Sequence, residues 1–388
     1  LISGPNGSGR TLLARSIKPV VDKMGGYLLS GKFEKYTQCT PFGAYVMAIN
    51  EFIQLVIRRG ENEVELFAKG IEEYAGSNVG VLLRWIPALG KIIKPLPKAE
   101  TTTNAGSMDR FAFALKAVRR AMDKTGRPIF LILENIHLAD TSSLEMLASL
   151  LRRPHECTGY LVATVDNQIA PDSEVAAKLR DAEDLAKVKI INIPVETLTE
   201  ERVEQVFASN LEMNQEDLKI IAHTVLQGTG GDFYLTELFI RWMRQKKVIS
   251  HDLKTGTFFL DKEELDLSLG QKRGSEILTE ELETLEPAAL EVLKVSACLG
   301  HVVEPGVIAL VLGRDISDVL RHLCEKGFLI RCPDSGRYCF GHEYVQESTH
   351  NLIPKQDRPL FHVEIGRRLW RRVPEDELDL VTFIILDQ

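Results

Sequence analysis

The chain is poor in the residues that build small stapled or metal-clipped folds. It has six cysteines, Cys39, Cys157, Cys298, Cys324, Cys332 and Cys339, and no two are spaced as CxxC. That spacing carries no zinc signature and no disulfide framework, so the expectation is free thiols in a reducing, cytoplasmic setting. No apolar run approaches the roughly 20 residues that span a bilayer, and no signal peptide is visible. Positive charge is not in excess: 47 Lys and Arg stand against 55 Asp and Glu, a net charge of −8. A protein whose affinity comes mainly from neutralising nucleic-acid phosphates is therefore disfavoured. Low-complexity tracts and internal repeats are absent, as is a GxSxG elbow, and Cys157 lacks a neighbour that would make it a nucleophile.

What is present is ordinary globular material, 44% hydrophobic and 26% charged over 388 residues. At roughly 100–200 residues per domain this is two or three domains. The first half alternates apolar runs with helical periodicity, which predicts a parallel sheet covered by helices. Strands are expected at Leu1 to Ser3, Tyr27 to Lys32, Pro128 to Leu133, Gly159 to Thr164 and Lys187 to Ile193. Helices are expected at Thr11 to Met24, Phe42 to Arg59, Met108 to Lys124 and Thr141 to Arg152, with a mostly helical insertion over 60–108. Residues 196–250 read as a helical subdomain and 251–274 as a polar linker or hairpin. In 275–355, helices precede a hairpin formed by Phe328 to Cys332 and Arg337 to Phe340, which reads as a winged helix. Residues 356–388 begin a further helical region. Leu1 lies only three residues before a glycine-rich loop, and the other end is apolar, so the chain reads as a segment of a longer polypeptide.

The loop Gly4-Pro5-Asn6-Gly7-Ser8-Gly9-Arg10-Thr11 fits GxxxxG[KR][ST] between an apolar strand and a helix. The glycines let successive backbone N–H groups turn toward phosphate oxygens, and the helix start favours an anion. Gly4 to Thr11, with Leu12, are the candidate nucleotide-binding residues, and the Thr11 hydroxyl is the candidate Mg²⁺ ligand. Arg10 stands where lysine is usual; its planar fork keeps the charge but directs its donors differently. The alternative is a glycine-rich turn that holds no ligand.

A second element is the strand end Phe130-Leu131-Ile132-Leu133-Glu134-Asn135. Phosphoryl chemistry needs an apolar strand ending in a carboxylate near Mg²⁺, commonly with a second acid to activate water. Glu134 supplies the first, as a candidate Mg²⁺ and catalytic residue. Asn135 occupies the second position, and an amide cannot take a proton as a carboxylate does. Glu134 as the sole water-activating acid and a buried strand with a merely polar end are the other readings.

Taken in order, GPNGSGRT, GGYLLSGKFEKYTQCTPFGAYVMAINEFI, PIFLILENIHLADTSSLEML, GTGGDFYLTELFI and FGHEYVQESTHNLIP resemble the STAND-type AAA ATPase module, close to the Orc1-like ATPase group. The resemblance implies a P-loop NTPase parallel sheet (1–195), a helical lid (196–250) and, after the linker, a mainly α winged-helix domain. It implies ATP or ADP with Mg²⁺ as ligands, and a switch that closes over ADP and opens with ATP. It further implies fused or associated kinase, GAF, histidine kinase or cyclase domains as partners, together with self-assembly. By position, His342 matches a winged-helix histidine that senses the nucleotide phosphates, and Asp140 matches an aspartate of the WAD triplet. Ser30-Gly31-Lys32-Phe33 matches a structural GKF strand.

Four departures fall in one site: Arg10 for lysine, Glu134-Asn135 for an acidic pair, Val165 for the usual arginine, and Asp232-Phe233-Tyr234 where the lid motif reads NPF. Together they imply weak hydrolysis. The competing readings are a nucleotide-free interaction scaffold, an active ATPase using Glu134 and Arg10, and a winged-helix DNA-binding regulator. The last is weakened by the near-neutral helix Asp315 to Gly327. His342 has a structural alternative as a capped core histidine. His301, His350 and His362 read as surface or packing residues, and Arg367, Arg368, Trp370, Arg371 and Arg372 as a solvated helix face.

Overall fold

The computed structural model describes residues 1–34, 41–93, 107–151, 159–166, 173–186, 189–210, 212–251, 257–269, 273–332, 336–374 and 385. Cys39, Cys157, most of the loop over 94–107 and most of the PDSG turn lie outside the described residues. Two compact units form. One comprises Leu1–Ser3, Thr11–Ile193 and Trp370–Asp387; the other comprises Gly4–Arg10 and Pro194–Leu369.

The first unit is built on a five-stranded sheet in the order β2-β3-β4-β1-β5. Its strands are β1 (Ile2–Ser3), β2 (Tyr27–Lys32), β3 (Ile129–Glu134), β4 (Gly159–Val165) and β5 (Ile193–Pro194). The ladders β2–β3, β3–β4 and β1–β4 are parallel, with Lys32 opposite Glu134 and Ser3 opposite Val165. This is a P-loop NTPase fold. Strand β4 is interposed between β1, which leads into the glycine loop, and β3, which ends in Glu134.

Two strand and helix expectations change. The helix predicted over Thr11 to Met24 is two short helices, Arg10–Arg15 and Lys18–Lys23, with Pro19 in the first turn of the second. A proline there cannot continue the first helix, because it lacks the N–H and crowds the carbonyl four residues back. The strand predicted over Lys187 to Ile193 pairs only at Ile193–Pro194, where Ile193 N–H donates to Leu1 O at 2.8 Å. Residues 187 and 188 lie outside the described residues. Pro194 has no N–H to extend the ladder, and such a residue belongs on an edge.

The insertion helices Glu61–Ala75 and Val79–Trp85 enter the core. Phe52 stands edge-on to both Tyr27 and Phe67, at centroid distances of 4.8 and 5.0 Å. The Tyr27 hydroxyl donates to Glu63, whose other oxygen accepts from Arg127 Nε at 2.6 Å, so the buried acid is paired. Strand β2 lies so close to the helix Gly43–Arg59 that a Cβ on Gly31 would stand 2.1 Å from Ala44 O. That contact explains the glycine of the GKF strand. Gly31→Ala is expected to cost at least about 2 kcal/mol, because backbone rather than a side-chain tip must move. A lowered urea midpoint at unchanged slope is the readout.

In the second unit, helices Glu200–Asn210, Gln215–Thr229 and Phe233–Gln245 are followed by a hairpin of β6 (Ile249–His251) and β7 (Phe258–Leu260). The polar stretch expected as a linker also carries a helix, Lys262–Leu269, whose start is capped by Asp261 Oδ1 accepting from Glu264 N–H at 3.0 Å. Further on come helices Gly274–Glu283, Pro287–Leu299, Pro305–Leu312 and Ser317–Glu325. A three-stranded antiparallel sheet orders β8 (Val302–Val303), β10 (Tyr338–Phe340) and β9 (Leu329–Arg331) as β8-β10-β9. Helices Glu343–Asn351 and Arg358–Arg372 complete the described elements. Among the described residues no helix is long and apolar enough to cross a membrane.

Candidate functional site: a glycine loop faced by an acid

The loop Gly4–Arg10 has the backbone its glycines permit. Gly7 and Gly9 have φ of 73° and 91°, values that L side chains rarely adopt, and Ser8 N–H closes a turn on Pro5 O at 3.3 Å. Gly4 is required for another reason, since a Cβ there would meet Val195 O at 2.4 Å. Arg10 does not reach outward. It is 6% exposed and folds back on its own loop, donating from Nη2 to Asn6 Oδ1 at 2.6 Å.

Within the same unit, the loop is met by the start of the helix Phe233–Gln245. Phe233 N–H donates to Gly7 O at 3.0 Å, and the Asp232 carboxylate lies against Gly7, where a Cβ would fall 1.4 Å from Oδ2. Asp232 is the N-cap of that helix, with Oδ1 accepting from Leu235 N–H at 2.9 Å. Its Oδ2 is buried with no full hydrogen bond. Burial pushes the Asp232 carboxyl above its ordinary pKa, opposed by the Leu235 N–H and by the neighbouring Tyr344 hydroxyl. The Tyr344 phenol is itself pushed up by burial and by this carboxylate, so it stays protonated and able to donate.

His342 extends the same cluster. Its ring stacks on Tyr234 at a centroid distance of 4.0 Å and an interplanar angle of 4°, and on Tyr344 at 5.3 Å. Its Nδ1 accepts from Tyr344 N–H at 3.2 Å, capping the helix Glu343–Asn351. The histidine is half-buried and caps a helix rather than being capped in the core, and it belongs to a chain of contacts that runs through Tyr344 and Asp232 to Gly7.

In the first unit, Thr11 Oγ1 donates to Glu134 Oε2 at 2.9 Å, and Arg15 Nη2 donates to Glu134 Oε1 at 3.0 Å. Glu134 is 3% exposed. Hydroxyl and carboxylate stand side by side, as a hard, oxygen-ligated cation requires, although the Arg15 guanidinium competes for the same charge. Leu12, proposed with the loop, is 68% exposed. Asn135 is buried at φ 57°, with its N–H donating to Thr164 Oγ1 at 3.0 Å. Asparagine tolerates this left-handed conformation better than most residues, a backbone reason for its presence that the motif alone does not reveal. Asp140 caps the helix Thr141–Leu151, accepting from Ser143 N–H at 2.9 Å and Ser143 Oγ at 2.5 Å. Val165 ends β4 and is buried.

Taken by itself, the glycine loop has the backbone that a phosphate needs, and the Thr11–Glu134 pair has the oxygens that Mg²⁺ needs. Arg10 and Asp232 fit less well, one because its guanidinium is buried and bonded to Asn6, the other because it brings negative charge to Gly7. The signal missed in the sequence is Asp232 itself, which reads there as a lid residue missing its proline rather than as a group on the phosphate loop.

The chain is 27% identical over 152 residues to hybrid signal transduction histidine kinase G of Dictyostelium discoideum, a match covering 39% of this chain and 4% of that protein. It resembles in structure a signal transduction ATPase with numerous domains (STAND) that carries a tetratricopeptide repeat sensor, from Pyrococcus horikoshii. That likeness has a TM-score of 0.47 and 14% identity, covering 100% of this chain and 45% of that one. It also resembles Cdc6p of Pyrobaculum aerophilum, with a TM-score of 0.41, 13% identity and coverage of 92% and 87%. The chain thus spans less than half the length of the STAND protein and a small fraction of the kinase. Residues 1–163, the segment holding the glycine loop and the Glu134 strand end, match the AAA ATPase domain family.

Proposed function

We propose that this chain is a nucleotide-dependent signalling switch, binding ATP or ADP with Mg²⁺ and hydrolysing it weakly, and regulating kinase, GAF, histidine kinase or cyclase domains fused to or associated with it. The observation that carries the reading is the chain of contacts from Gly7 through Asp232 and Tyr344 to His342 and Tyr234. It links the phosphate loop to the helix start at Asp232, in the expected lid (196–250), and to the expected winged helix (275–355). A phosphate at the loop must displace or neutralise the Asp232 carboxylate, and that displacement loosens the stack behind it. Nucleotide binding then acts by its different affinity for the two arrangements, which is what a ligand needs to shift an equilibrium.

The residues that would hold the nucleotide are the backbone of Gly4 to Thr11, with Thr11 and Glu134 holding Mg²⁺; the ion would neutralise phosphate charge. Hydrolysis is weak in this account because Asn135 cannot accept the water proton and Arg10 is tied to Asn6. The same Asp232 contact favours a second reading, a nucleotide-free scaffold in which the acid permanently occupies the loop. Calorimetric titration with ATP and ADP, with and without Mg²⁺, separates the two. The switch predicts Mg²⁺-enhanced binding, with the enhancement lost in Glu134→Gln. Absence of binding by folded protein in every condition favours the scaffold.

A further inference from the structure

Far from the nucleotide loop in sequence, the second unit brings together a cysteine read as a free thiol and two histidines read as surface or packing residues. Cys298 lies in the helix Pro287–Leu299, His350 near the end of Glu343–Asn351, and His362 in Arg358–Arg372. One ligating atom from each, the Cys298 Sγ and a nitrogen of each ring, lie within 4.8 Å of one another. Cys298 and His350 are buried and His362 is partly exposed.

The two imidazoles face each other through Nε2 at 3.4 Å. At that distance the two rings can share one proton in a long hydrogen bond. It is also the separation of two nitrogens on one tetrahedral ion, since bonds of about 2.0–2.1 Å at the tetrahedral angle place them about 3.4 Å apart. From this geometry we propose that Cys298, His350 and His362 form a Zn²⁺ site of the Cys-His₂ type, with the fourth position open to water or an exogenous ligand.

The donor set selects a borderline-soft ion. One thiolate and two imidazoles suit Zn²⁺, whereas Mg²⁺ and Ca²⁺ take oxygen ligands. Neutral imidazole is the ligating form, and burial together with the Arg358 guanidinium and His362 brings the His350 pKa down to about 4. Burial pushes the Cys298 thiol up to about 12, so it is protonated in the metal-free protein, and ion binding releases the Sγ proton to solvent. Arg358 is held by Ile353 O at 2.9 Å and Asn351 Oδ1 at 3.0 Å, which leaves its charge beside the site without a ligating role. The three helices that meet here include the one His342 caps, so an ion would pin that helix at its far end. This proposal is independent of nucleotide binding.

The test is competition of the full chain against a chromophoric chelator for Zn²⁺, in excess Mg²⁺ and without nucleotide, followed by Co²⁺ substitution. The site predicts one tight equivalent per chain and a thiolate-to-Co²⁺ charge-transfer band. Cys298→Ser should abolish the band. His362→Gln, at the partly exposed position where folding is least disturbed, should weaken Zn²⁺ binding by at least about 100-fold, since even supporting residues of metal sites are worth 10–100-fold. Zn²⁺ affinity unchanged in His362→Gln, or a Co²⁺ complex lacking the thiolate band, overturns the proposal and leaves a long imidazole pair only.

Discussion

Replacing Asp232 by Asn is expected to tighten ATP and ADP binding by roughly tenfold to a hundredfold. The carboxylate lies against Gly7, within the loop whose backbone is shaped for phosphate. Two unit charges about 4 Å apart repel by about 4 kcal/mol at an effective dielectric of 20, and part of that is relieved when the side chain rotates or Mg²⁺ binds. What remains, about 1.4–2.8 kcal/mol, is the stated range. Asparagine keeps the cap, because its Oδ1 can still accept the Leu235 N–H. The pH dependence has a definite sign. Burial raises the Asp232 pKa, so lowering the pH through that raised value removes the negative charge and tightens binding. Asp232→Asn should remove this dependence. Stability follows the same sign, because an acid whose folded pKa exceeds its unfolded one is a cost fully present above the folded value and absent below the unfolded one. Calorimetry of both proteins across the acidic range checks both points, and equal affinities would leave the acid without a role in nucleotide control.

The double substitution Arg10→Lys with Asn135→Asp is expected to raise ATP turnover by at least about tenfold, within the range a positioned general base supplies. Each change addresses a different deficit. Arg10 commits Nη2 to Asn6 Oδ1 in a buried position, and the shorter reach and compact charge of lysine suit a phosphate better. Aspartate at 135 tolerates the left-handed backbone as asparagine does and adds a proton acceptor. Either single change should give less than the pair, because each leaves the other deficit in place. Single-turnover rates with the Glu134→Gln background as a blank measure the gain. No increase would mean that a different group limits the chemistry.

Much of this molecule is legible in its sequence, and the limits have physical causes. Strand β3 and its acidic end are legible because a continuous apolar run bounded by Gly126 and Pro128 has few alternatives. Strand β2 is legible from the short apolar run that follows Gly25-Gly26, and the need for glycine at Gly31 becomes visible only when Ala44 is seen against it. The short pairing of β5 is less legible, since the apolar residues of the expected strand include Ile191 and Ile193, both exposed. A hydrophobic pattern cannot distinguish a buried strand from an exposed edge. At the site, the loop and Glu134 stand out because phosphate and Mg²⁺ chemistry restricts residue type at fixed spacing. Asp232 and the grouping of Cys298 with His350 and His362 do not, because they arise from packing between segments far apart in sequence. His342 falls between these cases: its position follows a resemblance, while its stack on Tyr234 and its cap on Glu343–Asn351 are matters of packing.

Hydrogen exchange of the full chain without ligand, with ADP and with ATP, in the presence of Mg²⁺, tests the switch most directly. The account predicts that nucleotide changes protection in the helices Phe233–Gln245 and Glu343–Asn351 together, and that ADP and ATP leave them in different states. Binding measured by calorimetry with identical protection of both helices in all three samples would contradict it.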